Sequence, residues 1–476
     1  MNFRKTKIVA TIGPATSSKA MLKKIIQKGV NVCRLNFSHS SHDELQDIVQ
    51  YIREINTELS LNNAILADLQ GPKIRVGKIE NNGIELKVND EISFTTKKCI
   101  GTAKDGIYIS YKHFPRDVTA GETILLDDGK LNFKIKSTNK KDKVIATVVH
   151  GGILSSNKGV NLPNTKISLP CLTTKDKKDL DFALKMNLAW IGLSFVRNPK
   201  DIIELKKIIN KNKSTAKVIA KIEKPEAVTN LDAIIEATDA IMVARGDLGV
   251  EIPFQEVPMI QKTIVKKSMK AAKPVIIATQ MMESMIDNVT PTRAEVNDVA
   301  NAVLDGADAV MLSGETSVGK YPTKVIEAMV NIINDVEKDD SLYHYEYAPE
   351  VNNFDRFITD NICFNSCRLA QRVGAKGIVT MTFSGYTGFK LASFRPKAGI
   401  FVFTGNQEIL NMLSLVWGVN VYHYEKFIST DHTIADIKYI LKKEKWLKKN
   451  DLIINIASMP IAEKGQSNMM KLSFIE

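Results

Sequence analysis

The chain has 476 residues, 44% of them hydrophobic and 25% charged, a composition typical of a globular protein with roughly two to four domains. No apolar run reaches the roughly 18 residues of a transmembrane helix, and MNFRKTKIVATIG lacks a signal-peptide core, so we expect a cytoplasmic protein without membrane association. The net charge of +12 and pI of 9.2 would suit nucleic-acid binding, but the lysines are interleaved with acidic residues, which argues against that class.

Strand-like and helix-like segments alternate through the first 69 residues. KIVATIG, VNVCRLNFS and NAILADL are apolar runs with the length of buried strands, and amphipathic segments follow the first two. In the second amphipathic segment, Ser41 and Glu44 have the spacing of a capping box. This stretch predicts three strands of a parallel sheet with helices between them.

Residues 70–165 have a different pattern. GIELKVNDEISFTT, GIYISYKHF, ETILLDDGKLNFKIKS and KVIATVVHGG alternate polar and apolar residues and are separated by Gly, Asp and Asn turns. The pattern predicts a small, barrel-like all-β domain inserted after the third strand. An insertion at that position would lie at the mouth of the active site and could act as a lid.

The strand–helix alternation resumes in residues 166–340. LAWIGLSFV, AKVIAKIE, AIMVARGDL, PVIIATQM and AVMLSGE are each followed by a helical segment, which gives eight strand–helix units in total. Eight units predict a parallel (β/α)8 barrel formed by residues 1–69 and 166–340, with an open doubly wound sheet as the alternative. Residues 341–476 alternate helix and strand again and predict a separate C-terminal α/β domain with a mostly parallel open sheet.

Polar side chains occur where the predicted barrel strands end, and (β/α)8 barrels carry their active sites at that edge. Side chains two residues apart share one face of a strand, so Arg34, Asn36 and Ser38 point together from the second strand. By the same rule, Lys221 and Glu223 share a face at the end of the fifth strand. A solvated strand end and a plain salt bridge are the structural alternatives for these two groups.

A second carboxylate follows the sixth strand. Asp247 lies in a turn bracketed by Gly246 and Gly249, which permit close approach of a ligand to the backbone. Glu223 and Asp247, completed by water and substrate oxygens, would form a typical Mg²⁺ site. Further polar groups end the last two strands: Thr279, Ser313 and Glu315.

Arg34, Lys221 and Arg245, a two-carboxylate metal site and several hydroxyls are the groups that phosphoryl transfer requires, because that reaction depends on positioning and charge neutralisation. The chain has neither a P-loop nor the motifs of protein kinases, so a nucleotide would lie elsewhere, between the barrel and the inserted domain. A Mg²⁺-dependent or Schiff-base aldolase or lyase on the same barrel, with Lys221 as the amine, is the alternative enzyme class.

The chain resembles the pyruvate kinases, and in particular the bacterial members. The resemblance rests on motifs that cover nearly the whole chain in the order found in that family: KIVATIGPATSS, VCRLNFSHSSHDE, ADLQGPKIRVG, NKGVNLP, VIAKIEKPEAV, IMVARGDLGVEIP, PVIIATQMMESM, PTRAEVNDVANAVLDGADAVMLSGETSVGKYP and FRPKAGIFVFT. It implies transfer of the phosphoryl group of phosphoenolpyruvate to ADP, giving pyruvate and ATP, the last step of glycolysis.

The resemblance also implies the roles of individual residues. Lys221, Arg34 and Thr279 would be catalytic, and Glu223 and Asp247 would bind Mg²⁺, for which Mn²⁺ can substitute. The substrate would contact Arg34, Lys221, Arg245, Gly246, Asp247 and Thr279. The nucleotide would contact Asn36, Phe37, Ser38, His39, Arg75 and Lys158. The resemblance does not decide whether Thr279, Ser313 or a water molecule protonates enolpyruvate.

A monovalent-cation pocket is implied at the end of the third strand. In many family members a K⁺ ion is held by the residues that match Asn36, Ser38, Asp68 and the backbone of Leu69. Lys73 is found where K⁺-dependent members carry glutamate, so the resemblance is to the K⁺-independent form. A fixed ammonium can supply the positive charge that the ion would bring.

The C-terminal domain is expected to have a regulatory site. TFSGYTG resembles the phosphate-binding loop of an allosteric, phosphorylated effector, with Thr382, Ser384, Gly385 and Thr387 as the contacts. The tail departs from the commoner family pattern at Ser458 and Ala462, where glycines are frequent, so the sequence does not identify the effector. A plain loop at the end of the sheet is the alternative. A homotetramer is expected from the family.

Overall fold

A computed structural model describes residues 4–38, 40–349, 356–426, 429–459 and 466–476. The first strands and helices are β1 (Lys7–Ile12), α1 (Lys19–Lys28), β2 (Val32–Asn36), α2 (His42–Leu59) and β3 (Ala64–Asp68). The predicted capping box is present, since Ser41 Oγ accepts from the Glu44 N–H while the Glu44 carboxylate accepts from the Ser41 N–H. Strands β1 and β3 are buried along their whole length, as expected for strands covered on both faces.

The inserted domain follows β3 and has its own hydrophobic core. Its elements are β4 (Ile84–Leu86), β5 (Glu91–Thr95), β6 (Ile107–Tyr108), α3 (Phe114–Asp117), β7 (Thr123–Leu126), β8 (Leu131–Thr138), β9 (Lys143–His150), β10 (Gly152–Leu154) and β11 (Val160–Asn161). They form a six-stranded sheet in the order β11-β7-β8-β9-β5-β6 and a two-stranded sheet of β10 and β4. The predicted all-β character of the insertion is confirmed.

The rest of the barrel follows the inserted domain. Its elements are α4 (Thr174–Lys185), β12 (Trp190–Leu193), α5 (Pro199–Lys211), β13 (Lys217–Ile222), α6 (Pro225–Thr229), α7 (Leu231–Ala237), β14 (Ala240–Ala244), α8 (Arg245–Glu251), α9 (Val257–Lys270), β15 (Val275–Ala278), α10 (Arg293–Leu304), β16 (Ala309–Leu312), α11 (Gly314–Ser317) and α12 (Pro322–Val336). The strands close in the order β1-β16-β15-β14-β13-β12-β3-β2 with parallel pairing, so the predicted (β/α)8 barrel is confirmed and the open-sheet alternative is wrong.

The C-terminal domain is a five-stranded open sheet flanked by helices. Its elements are α13 (Phe357–Val373), β17 (Gly377–Met381), α14 (Tyr386–Ser393), β18 (Gly399–Thr404), α15 (Gln407–Met412), β19 (Val419–His423), α16 (Thr430–Lys443), β20 (Leu452–Ala457) and β21 (Met469–Phe474). The sheet order is β19-β18-β17-β20-β21, and only β21 is antiparallel to its neighbour. Among the described residues, none of the helices has both the length and the apolarity needed to cross a bilayer.

Buried cations join the barrel to the C-terminal domain. The Lys5 ammonium donates to the carbonyls of Pro396, Lys397 and Ala398 at 2.7, 2.8 and 3.0 Å. The Arg395 guanidinium, 2% exposed, lies 3.0 Å from the Asp308 carboxylate at the start of β16. Because a buried charge is costly without a partner, these contacts fix the C-terminal domain against the end of the barrel opposite the polar strand ends.

Candidate active site

The Lys221 side chain lies at the centre of the polar strand ends. Its ammonium is 3.0 Å from Glu223 Oε1 and 3.1 Å from Asp68 Oδ1, and it donates to Ser194 Oγ at 2.8 Å. Burial lowers the pKa of Lys221, but the charges of Asp68 and Glu223 outweigh burial, so the pKa is raised above the ordinary lysine value. The amine therefore stays protonated, which makes it a fixed positive charge rather than a nucleophile.

A single buried carboxylate aligns two cations. Asp68, 3% exposed, accepts from Arg34 Nε at 2.8 Å and also from Arg34 Nη2, while its other oxygen contacts Lys221. Arg34 Nη1 donates to Thr11 Oγ1 at 2.9 Å, which fixes the remaining edge of the guanidinium. Burial raises the pKa of Asp68, but Lys221 and Arg34 lower it further than burial raises it, so its pKa is below the usual value and the carboxylate is ionised.

Glu223 and Asp247 provide the two carboxylates of the predicted metal site. Glu223 is 2% exposed, and its Oε2 accepts from the Phe195 N–H at 2.9 Å. Burial, reinforced by the negative charge of Asp247, raises the pKa of Glu223 above the usual range even though Lys221 lowers it. A buried carboxylate whose charge is destabilised by a neighbouring carboxylate fits a divalent cation. In the described part of the chain, no group of three or more metal-binding side chains competes with this pair.

Thr279 has an unusual backbone conformation at the end of β15. Its φ of 69° lies in the left-handed region, which a β-branched residue rarely adopts, and its hydroxyl accepts from the Gly246 N–H at 2.7 Å. A Cβ at Gly246 would be 3.3 Å from Thr279 Oγ1, so glycine allows this approach. Backbone strain of this kind is concentrated at functional sites.

Arg245 and Glu315, which the sequence predicts at the mouth of the barrel, form hydrogen bonds with other parts of the protein. The Arg245 guanidinium forms a bidentate pair with Asp298 at 2.6 and 2.7 Å and donates to the Thr279 carbonyl at 2.8 Å. Its side chain is thus paired within the protein and is not a free cation. Glu315 accepts from the N–H groups of Met282 and Ser313 at 3.1 and 2.6 Å and so ties two strand ends together.

The predicted nucleotide contacts fall into two groups. Asn36 Oδ1 accepts from the Ser38 N–H at 3.0 Å at the end of β2. Arg75 Nη1 donates to the Asn157 carbonyl at 3.1 Å, and Lys158 pairs with Asp127 at 2.9 Å, both within the inserted segment. One group thus lies at the end of a barrel strand and the other in the inserted segment.

Phe37 differs from the other predicted nucleotide contacts because its side chain is buried. Its side chain is 1% exposed and packs edge-on against Phe182, and its carbonyl accepts from Lys175 Nζ at 2.6 Å. Phe37 therefore belongs to the core beneath the site and presents no free group to a nucleotide, because alternation along the strand end turns it inward. His39 lies outside the described residues.

The predicted monovalent-cation pocket is partly filled by groups of the protein. Asp68 is paired with Arg34 and Lys221, and the Leu69 carbonyl accepts from Ser194 Oγ at 2.7 Å. Lys73 is exposed and lines a cavity between the barrel and the inserted domain, the interdomain cavity. In the described structure Lys73 has no ion-pair partner, so its charge is available within that cavity.

The predicted effector loop precedes α14. The Gly385 N–H donates to Thr382 Oγ1 at 3.1 Å, and the Tyr386 N–H donates to Ser384 Oγ at 3.4 Å, while Gly385 adopts a left-handed φ of 81°. Ser384 is exposed, whereas Thr387 is 3% exposed and contacts Ser467 Oγ at 3.2 Å. The Thr387 hydroxyl thus supports the loop from inside rather than facing solvent. Of the two departures in the tail, Ala462 lies outside the described residues.

The sequence analysis did not identify Ser194 and Asp298, two residues that form hydrogen bonds with side chains of the site. Ser194 bridges Lys221 and the Leu69 carbonyl, and Asp298 holds Arg245. The position of Ser194 at the end of the fourth barrel strand could have indicated it, because polar groups at the other strand ends were selected on that ground. Asp298 lies on α10, where its charge has no distinguishing sequence context.

Together, the (β/α)8 barrel, the protonated lysine, the aligned arginine and the two carboxylates define a phosphotransferase that works by charge neutralisation. A family model described as "Pyruvate kinase, barrel domain" matches residues 3–326, and one described as "Pyruvate kinase, alpha/beta domain" matches residues 360–473. The chain therefore belongs to the pyruvate kinase family, and it transfers a phosphoryl group from phosphoenolpyruvate to ADP.

Similar proteins agree with this family over nearly the full length. A pyruvate kinase of Corynebacterium efficiens is 41% identical over 99% of this chain and 98% of its own length. A pyruvate kinase of Geobacillus stearothermophilus is 40% identical over 99% of this chain and 80% of its own length. Among solved structures, a pyruvate kinase from Cryptosporidium parvum has a TM-score of 0.92 at 35% identity and covers 100% of this chain and 97% of its own.

Proposed function

We propose that Lys221 and Arg34 bind the phosphoryl group of phosphoenolpyruvate and stabilise the charge that develops during its transfer. The supporting observation is that Lys221 stays protonated between Asp68, Ser194 and Glu223, held in place before any substrate arrives. A preorganised charge of this kind needs no reorganisation during the reaction. A protonated amine does not form a Schiff base, so the lyase alternative gains no support.

Glu223 and Asp247 are proposed to hold Mg²⁺, with Mn²⁺ as a substitute. The bound cation would offset the negative charge of the transferring group. The substrate carboxylate would be bound by the backbone N–H groups of Gly246 and Asp247 and by the Thr279 hydroxyl. In the described structure the Gly246 N–H and Thr279 Oγ1 pair with one another, which satisfies both groups until the substrate replaces that contact.

The nucleotide is proposed to lie in the cleft between the two domains. Asn36 and Ser38 would contact it from the barrel, and Arg75 and Lys158 from the inserted domain. A coupled assay for pyruvate formation, with phosphoenolpyruvate, ADP and Mg²⁺ and with or without K⁺, tests the whole proposal. Borohydride treatment in the presence of pyruvate is the companion measurement, since a covalent adduct on Lys221 would contradict the proposed role of its charge.

The enzyme is proposed to work without K⁺. Lys73, exposed in the interdomain cavity and without an ion-pair partner in the described structure, would supply the positive charge instead. We expect Lys73→Glu to reduce activity without K⁺ by at least about tenfold and to make activity depend on K⁺, because the substitution replaces a positive charge by a negative one.

K⁺ titration of the coupled assay measures the effect of Lys73→Glu. Lys78→Glu, an equivalent charge reversal at an exposed lysine five residues further along the chain, is the matched control and should stay indifferent to K⁺. A Lys73→Glu enzyme that is equally active with and without K⁺ would refute the proposal that Lys73 supplies the positive charge of the K⁺ ion.

A phosphorylated effector is proposed to bind at the loop formed by Thr382, Ser384 and Gly385. The exposed Ser384 hydroxyl and the adjoining backbone N–H groups are the supporting features. Activity measured across a panel of sugar phosphates and nucleoside monophosphates tests the site. A response that survives Ser384→Asp, which adds a repelling charge, would place the effector elsewhere.

The enzyme is proposed to be a cytoplasmic homotetramer. Two exposed apolar areas support self-association. Phe254, just before α9, and Met259, on α9, are 81% and 65% exposed, and Leu472 and Phe474 on the edge strand β21 are 44% and 62% exposed. Light scattering of the intact chain in solution gives the mass directly, and a monomeric mass would rule out this assembly.

The domain boundaries at residues 69/70, 165/166 and 340/341 are also proposed. The first boundary directly follows β3, the second lies between β11 and α4, and the third lies between α12 and α13.

A further inference from the structure

A buried polar cluster joins the inserted domain to the barrel outside the groups assigned above. Glu251, at the end of α8, accepts through Oε1 from Lys224 Nζ at 2.6 Å and from Asn161 Nδ2 at 2.7 Å. The side chains of Glu251 and Lys224 are 1% and 8% exposed. Asn161 lies on β11 of the inserted domain, so this carboxylate holds one group from each domain.

The cluster is adjacent in the chain to both proposed metal ligands. Lys224 directly follows Glu223, and Glu251 comes four residues after Asp247 on the same helix, so the two carboxylates of α8 lie on one face. The two domains also approach one another at Gly129, where an added Cβ would lie 3.9 Å from Val250 Cγ1 on α8. A movement of the inserted domain would therefore be transmitted to the elements that carry Glu223 and Asp247.

The second carboxylate oxygen of Glu251 can accept a further hydrogen bond. Glu251 Oε2 is buried and has no hydrogen-bond partner in the described structure, and Glu251 and Asn161 both line the interdomain cavity. A buried acceptor without a partner is costly, so this oxygen is available for a donor that a shift of the inserted domain would bring to it. Asn161 Nδ2 can exchange Oε1 for Oε2 as the inserted domain moves, without losing its contact with Glu251.

We propose that Glu251 is a positioning residue for the phosphoryl transfer: it acts as a pivot that keeps the inserted domain attached to α8 and sets its position over the nucleotide. The proposal rests on the proposed function, in which Arg75 and Lys158 of the inserted segment contact ADP while the phosphoenolpyruvate contacts belong to the barrel. Loosening the pivot should therefore affect ADP and spare phosphoenolpyruvate.

The decisive experiment is a double-mutant cycle on Asn161→Ala and Glu251→Gln, with ADP and phosphoenolpyruvate varied separately. We expect Asn161→Ala to raise KM for ADP about tenfold, since it removes a hydrogen bond to a charged group, and to leave KM for phosphoenolpyruvate within about twofold. Glu251→Gln should raise KM for ADP at least as much, and the double variant should be no worse than Glu251→Gln alone.

Asn132→Ala is the matched control. Asn132 lies on β8 of the same sheet, opposite Leu125 of β7, which in turn pairs with Asn161, and it has no contact with Glu251. Its KM values should equal those of the unmodified enzyme. An unchanged KM for ADP in Asn161→Ala, an equal rise for both substrates, or additive effects of the two substitutions would each overturn the proposal.

The Asn161→Ala variant also covers the case in which Glu251→Gln fails to fold, because Asn161→Ala leaves the Lys224–Glu251 pair intact. Hydrogen exchange of the intact chain should then be faster at residues 159–162 in Asn161→Ala, and equal rates would contradict the pivot. An unmodified chain that forms no pyruvate would instead refute the proposed function, which separates the two failures.

Discussion

Lys221→Met is expected to lower kcat roughly 10³-fold while leaving the protein folded. The ammonium is the preorganised positive charge of the site, held by Ser194 at 2.8 Å and Glu223 at 3.0 Å, and methionine fills a similar volume without the charge. The loss should appear in kcat rather than in KM for ADP, because the charge acts on the transferring phosphoryl group.

The coupled assay measures this loss, and circular dichroism confirms that the variant is folded. Lys217→Met is the matched control. Lys217 begins the same strand, its side chain is 40% exposed, and its ion pair with Asp239 is long, at 4.0 Å. Its kcat should be unchanged. A Lys221→Met enzyme that is folded and retains more than about a tenth of normal kcat would contradict the role given to this lysine.

Asp247→Asn is expected to raise the Mg²⁺ concentration for half-maximal activity roughly 100-fold. The substitution preserves shape but removes one of two charges that hold the cation, and Mg²⁺ strongly prefers anionic oxygen ligands. Because Asp247 also raises the pKa of Glu223, its neutralisation should make the remaining carboxylate easier to ionise, so the site keeps weak metal affinity rather than none.

Mg²⁺ titration at saturating substrates measures the shift after Asp247→Asn. Glu226→Gln is the control, since Glu226 lines the same interdomain cavity three residues after Glu223 but has no assigned ligand role. Its Mg²⁺ requirement should match that of the unmodified enzyme. Equal shifts in the two variants would mean that general negative charge in the cavity, and not a defined pair of ligands, attracts the metal.

Much of the architecture follows from local sequence pattern. The apolar runs that end at Asp68, Glu223 and Thr279 identify barrel strands because a strand covered on both faces must be apolar along its length. The inserted domain was predictable because alternating residues and turn signals mark half-exposed strands. The period of two along a strand also placed Lys221 and Glu223 on one face, and the structure confirms that they are in contact.

The pairing of distant side chains could not be predicted in the same way. The pairing of Arg245 with Asp298 and the bridging by Ser194 depend on which helices and strands are neighbours in space. A local sequence pattern predicts which way a side chain points, but it does not predict which residue lies opposite that side chain. The cluster of Asn161, Lys224 and Glu251 is the clearest case, since its members come from two domains.

The sequence by itself therefore determined the barrel, the inserted and C-terminal domains and the strand ends that carry the charges, because burial and periodicity act over a few residues. The tertiary structure decided which charges are free and which are paired. Lys221 keeps its proton because Asp68, 153 residues earlier in the chain, lies within 3.1 Å of its ammonium. Coulomb energy depends on distance in space, and only the closed barrel sets that distance.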